Sequence, residues 1–203
     1  MSRLLALALL VIPAAVMAAP STPLDQVSAH LKAVDTMTAR FVQTGSNGRS
    51  VGGALTLKRP GHIRFQYDKG VPLLVVADGS SLMMIDYQVK QVSRWPIGNS
   101  PLGVLLNPNR DLSRYAKVVA DPPNGPMLVE ARDPKHPEFG VTTIAFRRTP
   151  GAPADLQLEG WTVVDAQNNH STVRLSDQHF NVPVANDAFR WIDPRPQRPA
   201  GKL

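Results

Sequence analysis

The chain has 203 residues, 43% of them hydrophobic, no cysteine, and a formal charge of +6 from 22 basic and 16 acidic side chains. Without cysteine, disulfides, thiolate metal sites and cysteine nucleophiles are excluded together, so stability must come from a hydrophobic core. The basic residues, among them Lys58, Arg64, Arg94, Arg110 and Arg147, are scattered among acids rather than clustered, which argues against a nucleic-acid partner.

Residues 1–18 carry one basic residue, Arg3, an apolar run over residues 4–12, and small side chains up to Ala18. That order predicts a secretory signal peptide, cleaved after Ala18 or Ala19, and a periplasmic, exported chain. The apolar run is shorter than the roughly 20 residues of a spanning helix. Ala18-Ala19-Pro20-Ser21 offers no cysteine to lipidate, so no lipid anchor is expected. One domain over residues 19–192 should bury roughly 70% of its unfolded surface. A proline-rich tail over residues 193–203 follows.

Thr22, Pro23 and Asp25 form a helix start: a hydroxyl cap, a proline in the first turn, and an acid three residues after the cap. Leu24, Val27, Leu31, Val34 and Phe41 recur at helical spacing and predict a helix of about five turns. After residues 45–48 the period becomes two. Residues 54–59 and 63–67 alternate about the Pro60-Gly61 turn and predict a β-hairpin. Residues 73–77 and 82–85 flank Asp78-Gly79 and predict a second. Residues 89–95 supply another strand. Ser100 and Pro101 then start a short apolar helix through Leu106. Strands follow near residues 115–120, 127–131, 142–146, 156–164 and 171–175. Roughly ten strands with one long and one short helix predict an α+β fold: a highly curved antiparallel sheet with helices on its concave face.

No nucleophile elbow, phosphate loop, dinucleotide fingerprint or zinc-protease motif occurs, and no enzymatic activity or cofactor is expected. The five histidines lie far apart, and the Asp133, His136 and Glu138 cluster sits in a proline-fixed loop that suits no standard metal spacing. The informative residues are apolar. Leu55, Leu57, Ile63, Phe65, Tyr67, Met83, Ile85, Leu105 and Leu106 are candidates for a wall that takes acyl chains, because such ligands need burial without directional bonds. Ordinary core is the competing reading for the same residues. Counting by two from Leu55 and Leu57 puts Arg59 at the end of an apolar row. It either snorkels to the rim or uses its donors to latch a covering helix by its carbonyls.

Phe41-Val42-Gln43, Gly53 through Pro60-Gly61, Arg64-Phe65-Gln66-Tyr67, Asp78-Gly79, Gln91-Val92, Ser100-Pro101 and Leu105-Leu106 together resemble the LolA family of periplasmic outer-membrane lipoprotein carriers. The C-terminal half matches in strand pattern and at Phe189-Arg190-Trp191. The resemblance implies a half-open β-barrel with a helical lid over an apolar cavity. It implies a monomeric chaperone that takes lipoproteins from an inner-membrane release complex and passes them to an outer-membrane acceptor. It also places Arg59 as the residue that bonds the lid and Ile63 where an aromatic cavity residue stands. A carrier of another amphiphile, such as a glycolipid, or a lipoprotein-sensing regulator are the alternative readings.

Overall fold

A computed structural model describes residues 22–97, 103–133 and 137–196. The expected signal peptide, Ser100, Pro101, Leu102, His136 and the tail beyond residue 196 lie outside the described residues.

The first helix, α1, runs Pro23–Ala33. Its start is capped as the sequence predicts, with the Asp25 N–H donating to Thr22 Oγ1 at 3.1 Å. It ends about two turns too early for Phe41 to belong to it. Val34 is already extended, and residues 36–44 form a strand. The five-turn helix is therefore corrected to three turns plus strand β1 (Thr36–Thr44). In β1, Met37, Ala39 and Phe41 are buried while Thr38, Arg40 and Val42 point the other way, which is period two.

Ten further strands follow: β2 (Ser50–Lys58), β3 (His62–Tyr67), β4 (Leu73–Asp78), β5 (Ser81–Asp86), β6 (Gln91–Pro96), β7 (Ala116–Ala120), β8 (Met127–Ala131), β9 (Val141–Arg148), β10 (Leu156–Val164) and β11 (His170–Phe180). Among the described residues they make one 11-stranded antiparallel sheet in the order β6-β5-β4-β3-β2-β1-β11-β10-β9-β8-β7. Strand β1 is the central seam that joins the two halves. Its pairing with β11 carries a register shift between Thr38 and Arg40, and that of β10 with β9 a second between Leu158 and Gly160. Such bulges increase local twist and bend the strand.

The sheet must curl. Phe65 on β3 and Trp161 on β10 are four strands apart, about 19 Å in a flat sheet, yet their ring centroids are 5.9 Å apart. The result is an open half-barrel with β6 and β7 as its edges. The chain between those edges contains a second helix, α2 (Gly103–Leu106), whose four residues are all buried. Val27 and Leu31 of α1, Val104, Leu105 and Leu106 of α2, and the inward residues of both sheet halves form one apolar core on the concave side.

A smaller apolar cluster lies on the opposite face of the sheet. Residues 181–192 run back across the outside of β3–β5, and Phe189 packs there with Leu74, Val76, Met83 and Ile85. Arg64 fixes this strap by donating to the Arg190 carbonyl at 2.8 Å, and Lys58 by donating to Asn186 Oδ1 at 2.6 Å.

Candidate functional site

The concave face is lined by alternate residues of each strand. Leu55 and Leu57 on β2 face Phe65 and Ile63 on β3 in register, and all four are at most 5% exposed. Phe41, Phe65, Tyr67 and Trp161 join edge to face, with centroids 5.2 Å apart for Phe41–Phe65 and Phe41–Tyr67. Leu105 and Leu106 close over this surface from α2.

Arg59 sits where the two helices meet the sheet. Its Nε donates to the Leu105 carbonyl of α2 at 3.0 Å, and its Nη1 donates to the carbonyl of Val34, the C-cap of α1. The last carbonyls of a helix have no partner within the helix and carry partial negative charge, so one guanidinium satisfies acceptors at the C-terminal ends of both helices. Burial lowers its pKa to about 10, partly offset by Asp35, and the group stays charged at neutral pH. The backbone repeats the connection. The Arg59 N–H donates to the Asp35 carbonyl at 2.8 Å and the Gly61 N–H to the Leu106 carbonyl at 3.0 Å. Gly61 is required here: its φ is +78°, and a Cβ would lie 2.7 Å from the Gly79 Cα in the neighbouring β4–β5 turn.

On the other side of the lid, the Arg110 guanidinium stacks 3.6 Å above the Tyr115 ring and approaches Asp133 at 4.0 Å. It occupies space left by Gly103, where a Cβ would come within 2.9 Å of Arg110 Nη1.

Of the nine apolar candidates, Leu55, Leu57, Ile63, Phe65, Tyr67, Leu105 and Leu106 come together in the concave core. Met83 and Ile85 do not. They pair with Val76 and Leu74 on the outer face, beneath the C-terminal strap. The inward positions of β5 are Leu82 and Met84, paired with Ala77 and Val75. Sequence reasoning also missed the inward roles of Phe41, Val75 and Trp161. The alternation of β1 held the signal for Phe41. Val75 stands in an unbroken apolar run, and Trp161 follows a bulge, so neither inward side can be counted from the sequence.

The family model for the outer membrane lipoprotein carrier protein LolA matches residues 32–191. The chain belongs to the LolA family. An outer-membrane lipoprotein carrier protein of Chromobacterium violaceum is 27% identical over 191 residues, 90% of each chain. One from Cupriavidus necator is 28% identical over 84% of each. A DUF1329 family protein from Desulfovibrio piger superposes with a TM-score of 0.51 at 9% identity, over 81% of this chain and 93% of that one, which shows a shared fold. The LolA match runs from the last two residues of α1 to Trp191, so it takes in Arg59, both helix contacts and the strap over β3–β5.

Proposed function

We propose that this LolA-family chain is a periplasmic carrier whose concave face shelters the acyl chains of lipoproteins between the inner and outer membranes. The observation that supports it most is one partly buried arginine joined to the carbonyls of both helices that cover an apolar half-barrel. Such a cover hides apolar surface from water when the carrier is empty, yet it rests on few bonds. Separating Arg59 from two carbonyls costs on the order of 3–6 kcal/mol. Acyl chains contribute about 0.8 kcal/mol per buried methylene, so roughly four to eight methylenes offset the opening. The ligand then shifts the population toward the open form because only that form offers it apolar surface. A carrier balanced in this way releases its load when the cover closes.

An inner-membrane release complex and an outer-membrane acceptor would supply and receive the cargo. The test is depletion of the protein in its own cells, followed by membrane fractionation. Outer-membrane lipoproteins retained at the inner membrane are the expected result. Normal sorting would remove the reading, and mislocalised glycolipid with correctly sorted lipoproteins would transfer it to another amphiphile.

A further inference from the structure

Arg59 marks one end of the half-barrel, and a different arrangement marks the other. Three strands whose inward rows are apolar each finish there on a hydrogen-bonding side chain: β3 on Tyr67 after Ile63 and Phe65, β1 on Gln43 after Phe41, and β11 on Ser171 before Val173 and Leu175. These three groups are joined. The Tyr67 hydroxyl donates to Gln43 Oε1 at 2.5 Å, and Gln43 Nε2 donates to Ser171 Oγ at 3.0 Å. The chain of bonds crosses β1 and so ties the two halves of the sheet together on its inner side.

Two observations distinguish this end from ordinary core. Exposure rises along β1 and β2: Met37, Leu55 and Leu57 near Arg59 are at most 3% exposed, whereas Gln43 and Val51 at this end, with Leu73 and Ser171 beside them, are only half-buried. Solvent therefore reaches the β1–β4 part of the inner face here, beside a 600 Å³ depression at the rim lined by Tyr67, Asp68, Val71, Pro72 and Leu73. In addition, Thr142 is fully buried and its Oγ1 has no hydrogen-bond partner among the described residues. It stands on the same inward row, opposite Val163, which in turn faces Ser171. Two strand spacings separate Thr142 from Ser171, about 10 Å. A buried hydroxyl without a partner is a polar group waiting for one.

Building on the carrier reading above, we propose that the Tyr67–Gln43–Ser171 chain, with Thr142 beside it, seats the polar root of the bound lipid: the ester and amide groups from which its acyl chains spring. The chemistry is matched on both sides. Gln43 keeps one amide hydrogen and one lone pair, Ser171 keeps its hydroxyl hydrogen, and Tyr67 keeps its acceptor lone pairs, so the row can both donate to carbonyls and accept from an amide N–H. The strand between this row and the Arg59 end, from Gln43 back to Met37, spans about 20 Å of apolar surface, a length suited to extended acyl tails. The lipid lies with its tails toward Arg59 and its head at the watery end, where an attached polypeptide can leave without crossing the core.

The test compares two probes on the purified chain: a synthetic triacylated lipopeptide, which has the ester and amide root, and diphenylhexatriene, a hydrocarbon fluorophore with no hydrogen-bonding group. Tyr67→Phe and Gln43→Leu are each expected to weaken lipopeptide binding about tenfold while diphenylhexatriene binding changes less than about twofold. Tyr67→Phe keeps the ring and its packing, so it reads the hydroxyl even where Gln43→Leu disturbs the strand. Unchanged lipopeptide binding in both variants, or parallel losses for both probes, overturns the polar seat and leaves the carrier reading standing. Failure of the unsubstituted protein to bind the lipopeptide at all overturns the carrier reading, and the seat with it.

Discussion

On the proposed carrier reading, one side chain, Arg59, sets the balance of the whole cover. A leucine in its place fills similar apolar space and removes the cost of burying a charge, but it leaves the Val34 and Leu105 carbonyls without their donor. Arg59→Leu should therefore change global stability by no more than about 1–2 kcal/mol while loosening both helices. Hydrogen exchange at α1 and α2 should speed up while the sheet stays protected, and delivery of cargo should suffer more than loading. Protection of α1 and α2 equal to that of the unsubstituted protein would count against the latch. His30 makes a second residue-scale prediction. It is 2% exposed, edge-on to Phe146 and Phe180, with Nδ1 2.9 Å from the Pro153 carbonyl. Burial holds its pKa below the ordinary 6.5; the Pro153 carbonyl acts in the opposite direction and the Arg59 charge adds to the lowering. The unfolded chain thus takes up this proton at a higher pH than the folded one. The stability involved is complete above pH 6.5 and is lost as the pH falls through the folded value. The melting temperature should drop on going from pH 7 to pH 5, and His30→Gln should flatten that drop; an unchanged slope in the variant would show that other groups carry it.

At the scale of elements, the hairpins and the second half of the sheet were legible because their turns and alternation agree: Pro60-Gly61 and Asp78-Gly79 lie where β2–β3 and β4–β5 reverse. The α1–β1 boundary was less so. Val34 and Phe41 are seven residues apart, a spacing that fits two helical turns as well as it fits chance, and the alternation of Thr36, Thr38 and Arg40 with Met37, Ala39 and Phe41 is the stronger signal. The wrong side assigned to Met83 and Ile85 has a different cause. Strands β4 and β5 are apolar on both faces because each face is covered, one by the concave core and one by residues 184–191. A strand covered on both sides loses its alternation, and no count by two recovers which side is inward. The strap itself gave little sign of its packing, since Phe189 and Trp191 sit in a proline-flanked segment. Its contribution can be measured: Phe189→Ala should cost about 3–5 kcal/mol of unfolding free energy and leave acyl-chain affinity unaltered, because Phe189 faces away from the concave side. A large loss of lipid affinity without loss of stability would mean that the outer cluster takes part in binding.

For the molecule as a whole, fold class and family were readable from the sequence, whereas the candidate binding surface was readable only in part. The apolar row that ends in Arg59 could be counted along β2. The meeting of Phe65 with Trp161, of Arg59 with two helices, and of Tyr67 with Gln43 and Ser171 depends on how far the sheet curls, which no single strand encodes. On the proposed reading, the concave face takes up acyl chains when its helices part. Titration of the purified chain with a triacylated lipopeptide, read by native mass spectrometry, tests this most directly when Phe65→Asp is titrated alongside Phe189→Ala. The account predicts a one-to-one complex that Phe189→Ala preserves and Phe65→Asp weakens at least tenfold, with both variants folded by circular dichroism. Equal binding by folded Phe65→Asp, or no complex with the unsubstituted protein, would contradict it.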